Sequence, residues 1–207
     1  MRLKRAEKIP PKQILVSAGG FFLSERILLN KKTIMDRVSV ARSITRLSHE
    51  IIESIDSSHE RVLIGIHNRG VPLAKRIQSE ISNINGVKIK LGSLDITFHR
   101  DDYRERLIMP EVRGTNIQFS IDDKVVILID DVLFTGRTIR AALDELNSFG
   151  RASKVQLAVL VDRGHRELPI KAAFIGKNIP THEGEHVEVN FSETDEEDSV
   201  FLTLGDQ

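Results

Sequence analysis

Two adjacent carboxylates, Asp130 and Asp131, stand in the run Val125-Val-Ile-Leu-Ile-Asp-Asp-Val-Leu-Phe-Thr-Gly-Arg-Thr-Ile139, just ahead of a Thr-Gly-Arg-Thr turn. Side-by-side aspartates can accept hydrogen bonds from a sugar diol. Threonine hydroxyls and the free N–H groups of a helix start can cradle a phosphate monoester. Phosphate on one side and ribose hydroxyls on the other describe a ribose-5-phosphate site. Simple capping of a strand-to-helix junction explains one polar residue there, but not paired carboxylates followed by Thr135-x-x-Thr138.

Such a constellation needs a strand that stops beneath it and a helix that starts beyond it. Val125 to Ile129 reads as a buried parallel strand ending at the acidic pair. A helix from Thr138 to Phe149 turns Ile139, Ala142, Leu146 and Phe149 inward and stops at Gly150. Upstream, residues 36–55 form a helix with Val40, Ile44, Leu47, Ile51 and Ile55 at helical spacing, capped by Asp36 or Ser39. Arg61–Ile66 is a strand leading into His67-Asn68-Arg69-Gly70, and a helix follows from Pro72 to Ile81. Strands are also expected at Val87–Ile96, Val155–Val161, Ala172–Ile175 and His186–Phe191. Alternating strands and helices imply an α/β fold, a doubly wound parallel sheet whose ligands bind beyond the strand carboxyl ends. Residues 97–124 are polar, rich in Arg and Asp, and read as a flexible hairpin flap hooding the site and not as packing material. Three parts result: an N-terminal extension over 1–30, a domain over 31–191, and an acidic tail over 192–207 whose Glu193–Asp198 run is expected to be solvated.

The bulk numbers exclude several classes. The 207 residues carry 30 basic and 30 acidic side chains and no cysteine. Disulfides, thiol catalysis and thiolate metal sites are therefore ruled out, and a reducing cytoplasm is the expected setting. With zero net charge, nucleic-acid binding must come from a local patch, and DNA is not an expected partner. Ser17, Gly19 and Gly20 interrupt the one N-terminal apolar stretch, so neither signal peptide nor membrane span is expected.

The acidic pair and phosphate turn resemble the 5-phosphoribosyl-1-diphosphate (PRPP) signature of the type I phosphoribosyltransferases. Four further segments narrow the likeness: Thr45-Arg-Leu-Ser-His-Glu-Ile51, Leu94-Asp-Ile-Thr-Phe-His-Arg-Asp-Asp102, Leu157-Ala-Val-Leu-Val-Asp-Arg-Gly-His-Arg-Glu-Leu-Pro-Ile170 and Ile175-Gly-Lys-Asn-Ile-Pro-Thr181. Together they look like the pyrimidine-operon attenuator family, whose members are also uracil phosphoribosyltransferases, and the match spans about residue 30 to about 190. The resemblance implies the type I phosphoribosyltransferase fold and the conversion of uracil and PRPP to UMP and pyrophosphate with Mg²⁺. It assigns PRPP to Asp130, Asp131, Val132, Leu133, Phe134, Thr135, Gly136, Arg137 and Thr138, with Mg²⁺ near the aspartates but no dedicated metal cage. Asn68, Arg69 and Gly70 match the family's pyrophosphate loop, which carries a cis peptide; the family's usual Thr is Asn68 here. Asp130, Asp131 and Arg69 are the implied catalytic groups, Arg100 the flap residue, and Arg163 and Val187 the base contacts.

A regulatory reading rests on other residues. Arg42, Arg46 and His49 lie on one helical face away from the apolar stripe, beside Thr45. The resemblance makes Thr45, Arg46, His49, His165, Arg166 and Lys177 the contacts for a stem-loop of operon leader RNA, with UMP or UTP in the active site raising RNA affinity. A homodimer or homotetramer is implied as well. Three alternatives stay open: a salvage enzyme without RNA regulation, a regulator that uses the site only as a nucleotide sensor, and a phosphoribosyltransferase for hypoxanthine, guanine or orotate.

Overall fold

In a computed structural model, which describes residues 31–54, 59–97 and 114–204, the apolar runs become the five strands of one parallel sheet. In chain order the elements are β1 (Lys31–Met35), α1 (Arg37–Glu53), β2 (Arg61–Ile66), α2 (Gly70–Asn85), β3 (Lys90–Leu94) and β4 (Val125–Leu133). There follow α3 (Arg137–Leu146) with a 3-10 turn (Asn147–Phe149), β5 (Lys154–Asp162), β6 (Phe174–Asn178), β7 (Glu185–Asn190) and β8 (Ser199–Leu204). The main sheet runs β3-β2-β4-β5-β6, and β1, β8 and β7 make a second, three-stranded sheet. All four pairings in the main sheet are parallel.

Both faces of the main sheet are covered, which is why its strands read as unbroken apolar runs and not as alternations. Leu63, Ile127, Ile129 and Leu160 point into one core with α1, α2 and the small sheet, through Leu47, Ile77, Phe191 and Val200. Val62, Ile64, Val126, Leu128 and Val159 point into the other, with Ile139, Ala142 and Leu146 of α3. Asp36 caps α1 by accepting the Ser39 N–H at 2.8 Å, as the sequence predicts.

Several local expectations are corrected. The central strand does not stop at the aspartates; β4 runs through them to Leu133, held by pairing with β5 up to Leu133–Asp162. Helix α2 starts at Gly70 and continues to Asn85, since no breaker intervenes before Gly86 (φ 72°). Phe149 is 36% exposed in the 3-10 turn, because the tightened winding rotates it off the apolar stripe of α3. Residues 117–121 are packing material after all: Ile121 is fully buried, and Ile117 and Phe119 lie on the second core. The segment read as an acidic tail holds strand β8, hydrogen-bonded antiparallel to β7 from Glu185–Leu204 to Asn190–Ser199. The extension over 1–30 and the flap residue Arg100 lie outside the described residues. The flap's two stems do meet: Ser93 and Asn116 form an antiparallel bridge, and the Asp95 carboxylate accepts the N–H groups of both Thr97 and Gly114 at 2.9 Å.

Candidate functional site

The strand order reverses between β2 and β4: the chain moves outward from β2 to β3, then returns to the far side of β2 and proceeds through β5 to β6. Loops leaving adjacent strands at such a switch point diverge and open a crevice for a ligand. Here the diverging loops are His67–Gly70 after β2 and Phe134–Gly136 after β4, so the topology brings together the two segments that the sequence singles out.

The Thr135–Thr138 turn has the features of an anion site. Gly136, at φ 94°, precedes α3 and offers no capping side chain, leaving first-turn N–H groups for an incoming ligand. Thr135 Oγ1 accepts from the Arg137 N–H at 3.4 Å. The turn is braced from below by the residues after β5. Arg163 N–H donates to the Leu133 carbonyl at 3.1 Å, and the Glu167 and Leu168 N–H groups donate to the Thr135 carbonyl, both at 3.0 Å. Leu133 itself is 1% exposed, so it contributes backbone and core, not a side chain facing ligand.

Asp130 is 5% exposed, and its Oδ1 accepts the Asp131 N–H at 3.0 Å. Burial pushes the Asp131 carboxyl above the ordinary carboxylate range, against the opposing pull of Asp130's hydrogen bond and the Arg69 charge. The pair therefore sits where a cationic or hydroxyl-rich ligand would be welcomed. On the opposite loop, where the resemblance implies a cis peptide, the His67–Asn68 bond is cis, and Asn68 is exposed. Gly70 packs directly on β4. A Cβ there would fall inside contact distance of the Ile129 carbonyl and 3.2 Å from the Asp130 Cα. Only glycine lets the end of the β2 loop pack this closely on β4.

Arg69 gives its Nη2 to Asp195 Oδ1 at 3.0 Å and its Nε to Asp195 Oδ2 at 3.4 Å. The run read as a solvated tail is thus part of the site's frame. Arg76, two turns further along α2, holds Glu193 and Asp198 of the same run. Sequence reading missed these contacts; the available signal was a pair of arginines seven apart on one helix, matched by an acidic run elsewhere.

Of the proposed base contacts, Arg163 is 7% exposed and lies 3.7 Å over the Phe134 ring, donating to Thr181 Oγ1 at 3.2 Å and to the Glu185 carbonyl at 2.5 Å. It ties the phosphate turn to β7, which carries Val187 partly buried and comes alongside β4.

The six residues assigned to RNA come from three places in the chain: α1, the loop beyond β5, and β6. Thr45, Arg46 and His49 line a shallow groove along the exposed face of α1 with Arg37, Val38 and Arg42. Lys177 joins that side of the molecule, donating to the Ile34 carbonyl at 3.1 Å, while Arg46 donates to the Ile175 and Gly176 carbonyls of the same strand β6. His165 and Arg166 sit instead in the loop beyond β5. Arg166 spends its donors on the carbonyls of Phe134 (2.7 Å), Gly164 (2.9 Å) and Ile170 (3.0 Å) and on Asp162 (2.5 Å). That geometry makes it a support of the turn before α3, whereas the resemblance assigns it to RNA.

Among the described residues no group of three or more His, Cys, Asp or Glu side chains is placed to hold a metal ion alone. Asp130 and Asp131 supply hard carboxylate oxygens, which suits Mg²⁺ arriving with a diphosphate and most of its water. No helix among the described residues is long and apolar enough to cross a membrane.

A switch-point crevice with a phosphate turn, an acidic pair and an opposing arginine loop defines a phosphoribosyl-transferring protein. The phosphoribosyl transferase domain family matches residues 31–194. The fold is that of hypoxanthine phosphoribosyltransferases from Staphylococcus aureus (TM-score 0.61, 19% identity, covering 84% of this chain and 93% of that one) and Trypanosoma cruzi (TM-score 0.62, 16% identity, 84% and 97%). Much nearer in sequence is the Bifunctional protein PyrR of Clostridioides difficile, 51% identical over 175 residues and covering 84% of this chain and 99% of the relative. The PyrR of Oceanobacillus iheyensis is 54% identical over 177 residues, covering 84% and 98%. The chain belongs to the PyrR family.

Proposed function

We propose that this protein transfers the 5-phosphoribosyl group of PRPP to uracil, giving UMP and pyrophosphate, and that it regulates pyrimidine genes by nucleotide-dependent binding of operon leader RNA. The observation that supports the first half is the topological switch between β2 and β4, with Arg69 in the loop after β2, Asp130 and Asp131 on β4 and the Thr135–Thr138 turn after it. Departure of pyrophosphate leaves cationic character on the ribose, so catalysis amounts to positioning and electrostatics. Thr135 and Thr138, with the N–H groups of Gly136 and of the α3 start, hold the 5-phosphate. Asp130 and Asp131 hold the ribose hydroxyls and place negative charge beside the developing cation. Arg69, Asn68 and the loop N–H groups receive the departing diphosphate. Mg²⁺, when bound, offsets diphosphate charge, and Asp130 and Asp131 would be its protein neighbours. Arg163 and Val187 would contact the base, and Arg100 the diphosphate. A panel of bases with PRPP and Mg²⁺ tests this reading: uracil is expected to be converted, and turnover of hypoxanthine, guanine or orotate in its place would overturn it.

The regulatory half rests on the α1 groove. Its rim carries Arg37, Arg42, Arg46 and His49 around exposed Val38 (54%), with Glu50 pairing Arg46 at 2.8 Å. Single-stranded RNA loops are read by stacking, base-edge hydrogen bonds and phosphate contacts, which this mixture of cations and apolar floor can supply. Uridine nucleotides in the crevice would raise RNA affinity by coupling, since α1 and the site loops are attached to the same sheet. Arg46→Ala is expected to weaken leader-RNA binding about tenfold, the size of one lost charge-assisted contact, while UMP formation continues. Filter binding across salt, with and without UMP, checks this; equal loss of binding and turnover would make Arg46 a structural residue.

A further inference from the structure

The turn between β7 and β8 contains five carboxylates, Glu193, Asp195, Glu196, Glu197 and Asp198, and it is gripped at two separate points. Arg76 is the anchor. Its Nε donates to Glu193 Oε1 at 2.8 Å, its Nη1 and Nη2 to Asp198 at 2.8 and 2.7 Å, and its guanidinium lies 4.8 Å over the Phe191 ring. These contacts fix the turn on α2 without involving Arg69. Asp195 is in turn fixed by its own segment: Oδ2 accepts the Phe191 N–H at 3.0 Å and the Thr194 hydroxyl at 2.8 Å. Although burial alone would raise it, these bonds and Arg69 hold the Asp195 carboxyl below the ordinary range.

The carboxylate thus arrives at Arg69 already oriented. It meets the guanidinium side-on, along the Nε and Nη2 edge, and leaves the two Nη1 hydrogens and the outer Nη2 hydrogen facing away. A side-on carboxylate fixes the plane of an arginine fork while leaving its end for a second anion. Without that partner, Arg69, half-buried at the start of α2, would sample more rotamers and lose entropy on meeting ligand.

We propose that Asp195 is a positioning residue: it orients Arg69 for the diphosphate of PRPP and, through the β7–β8 turn, ties the diphosphate subsite to the strand that carries Val187. The proposal rests on the reading of Arg69 as a diphosphate contact. It makes the acidic run a component of PRPP recognition, even though its charge has the same sign as the ligand's.

The test is steady-state kinetics with Mg²⁺ on the full chain, comparing wild type with Asp195→Asn, Glu193→Gln, Arg69→Ala and the Arg69→Ala/Asp195→Asn double variant. Asp195→Asn should raise KM for PRPP and the inhibition constant of inorganic pyrophosphate roughly fivefold to tenfold, the size of one charge-assisted contact. KM for uracil should move less than about twofold, and Glu193→Gln, which removes a charge from the same run but no bond to Arg69, should raise KM for PRPP less than Asp195→Asn does. In the Arg69→Ala background the Asp195 substitution should add nothing. A KM for PRPP that stays level or falls in Asp195→Asn would overturn the role, as would an undiminished Asp195 effect in the double variant. Should Arg69→Ala alone leave PRPP recognition intact, the diphosphate assignment of Arg69 fails, and the proposal with it. Calorimetric binding of inorganic pyrophosphate at low temperature gives the same reading for any variant whose Tm has dropped near the assay temperature.

Discussion

Asp131→Asn is expected to give a slower enzyme on a more stable fold. Turnover should fall on the order of 10²-fold, because the substitution removes negative charge from beside the developing ribose cation in a site where little water competes. Stability should move the other way. Burial raises the Asp131 carboxyl in the free protein, so the fold favours its neutral form. A group whose folded pKa is raised contributes stability that is fully present below the unfolded carboxylate value and is lost as pH rises through the folded one. As pH rises above the ordinary carboxylate range the ligand-free protein loses that contribution, and asparagine, which cannot ionise, does not. Tm of the variant should exceed that of wild type at pH 7, with the gap closing as pH falls below the ordinary carboxylate range. In wild type the acid limb of kcat/KM should lie above that same range, since it reports the free enzyme. Thermal melts from pH 3.5 to 7.5 with UMP formation at saturating uracil measure both arms. An unchanged kcat/KM would remove Asp131 from the chemistry, and a lowered Tm at pH 7 would mean that its charge is matched in the free protein.

The opposition of stability and function at one aspartate was legible in the sequence only as chemistry. Paired carboxylates before Thr135-Gly-Arg-Thr138 announce a sugar phosphate, and the apolar run before them announces a buried strand. Pattern could not say that β4 continues through the pair, because strand pairing with β5 is a long-range property and Asp has poor strand propensity. Nor could periodicity separate the two faces of the sheet, since both are apolar. The acidic run was read as solvated because a string of carboxylates usually is. Its partners, Arg69 and Arg76, lie more than a hundred residues earlier and are brought to it by the small sheet. What the sequence conveyed best was therefore local: the turn, the helix cap at Asp36, and the glycine at the pyrophosphate loop. What it conveyed least was where charged side chains spend their hydrogen bonds.

Arg166 shows the consequence most sharply. Its place in Arg163-Gly-His-Arg166 and its charge suit a nucleic-acid contact, yet its guanidinium bridges Asp162 on β5 to the Phe134 carbonyl on the phosphate turn. Arg166→Ala is predicted to lower stability by about 2 kcal/mol, since it leaves the Asp162 carboxylate with the Gly164 N–H as its remaining donor and orphans part-buried carbonyls. The larger effect should be on PRPP. With its brace removed, the turn no longer presents preorganised N–H groups to the 5-phosphate, and a misplacement of about 1 Å can cost on the order of 10²-fold in kcat/KM. The loss should fall on KM for PRPP and on kcat, with leader-RNA affinity in the absence of nucleotide changing little. Arg46→Ala should show the reverse pattern, because it lies on the α1 groove and touches neither site loop. Measuring both variants for PRPP kinetics and for nucleotide-free RNA binding separates the two arginines. If Arg166→Ala lost nucleotide-free RNA affinity while retaining normal PRPP kinetics, its hydrogen bonds to the turn would be dispensable and its role would be that of an RNA contact.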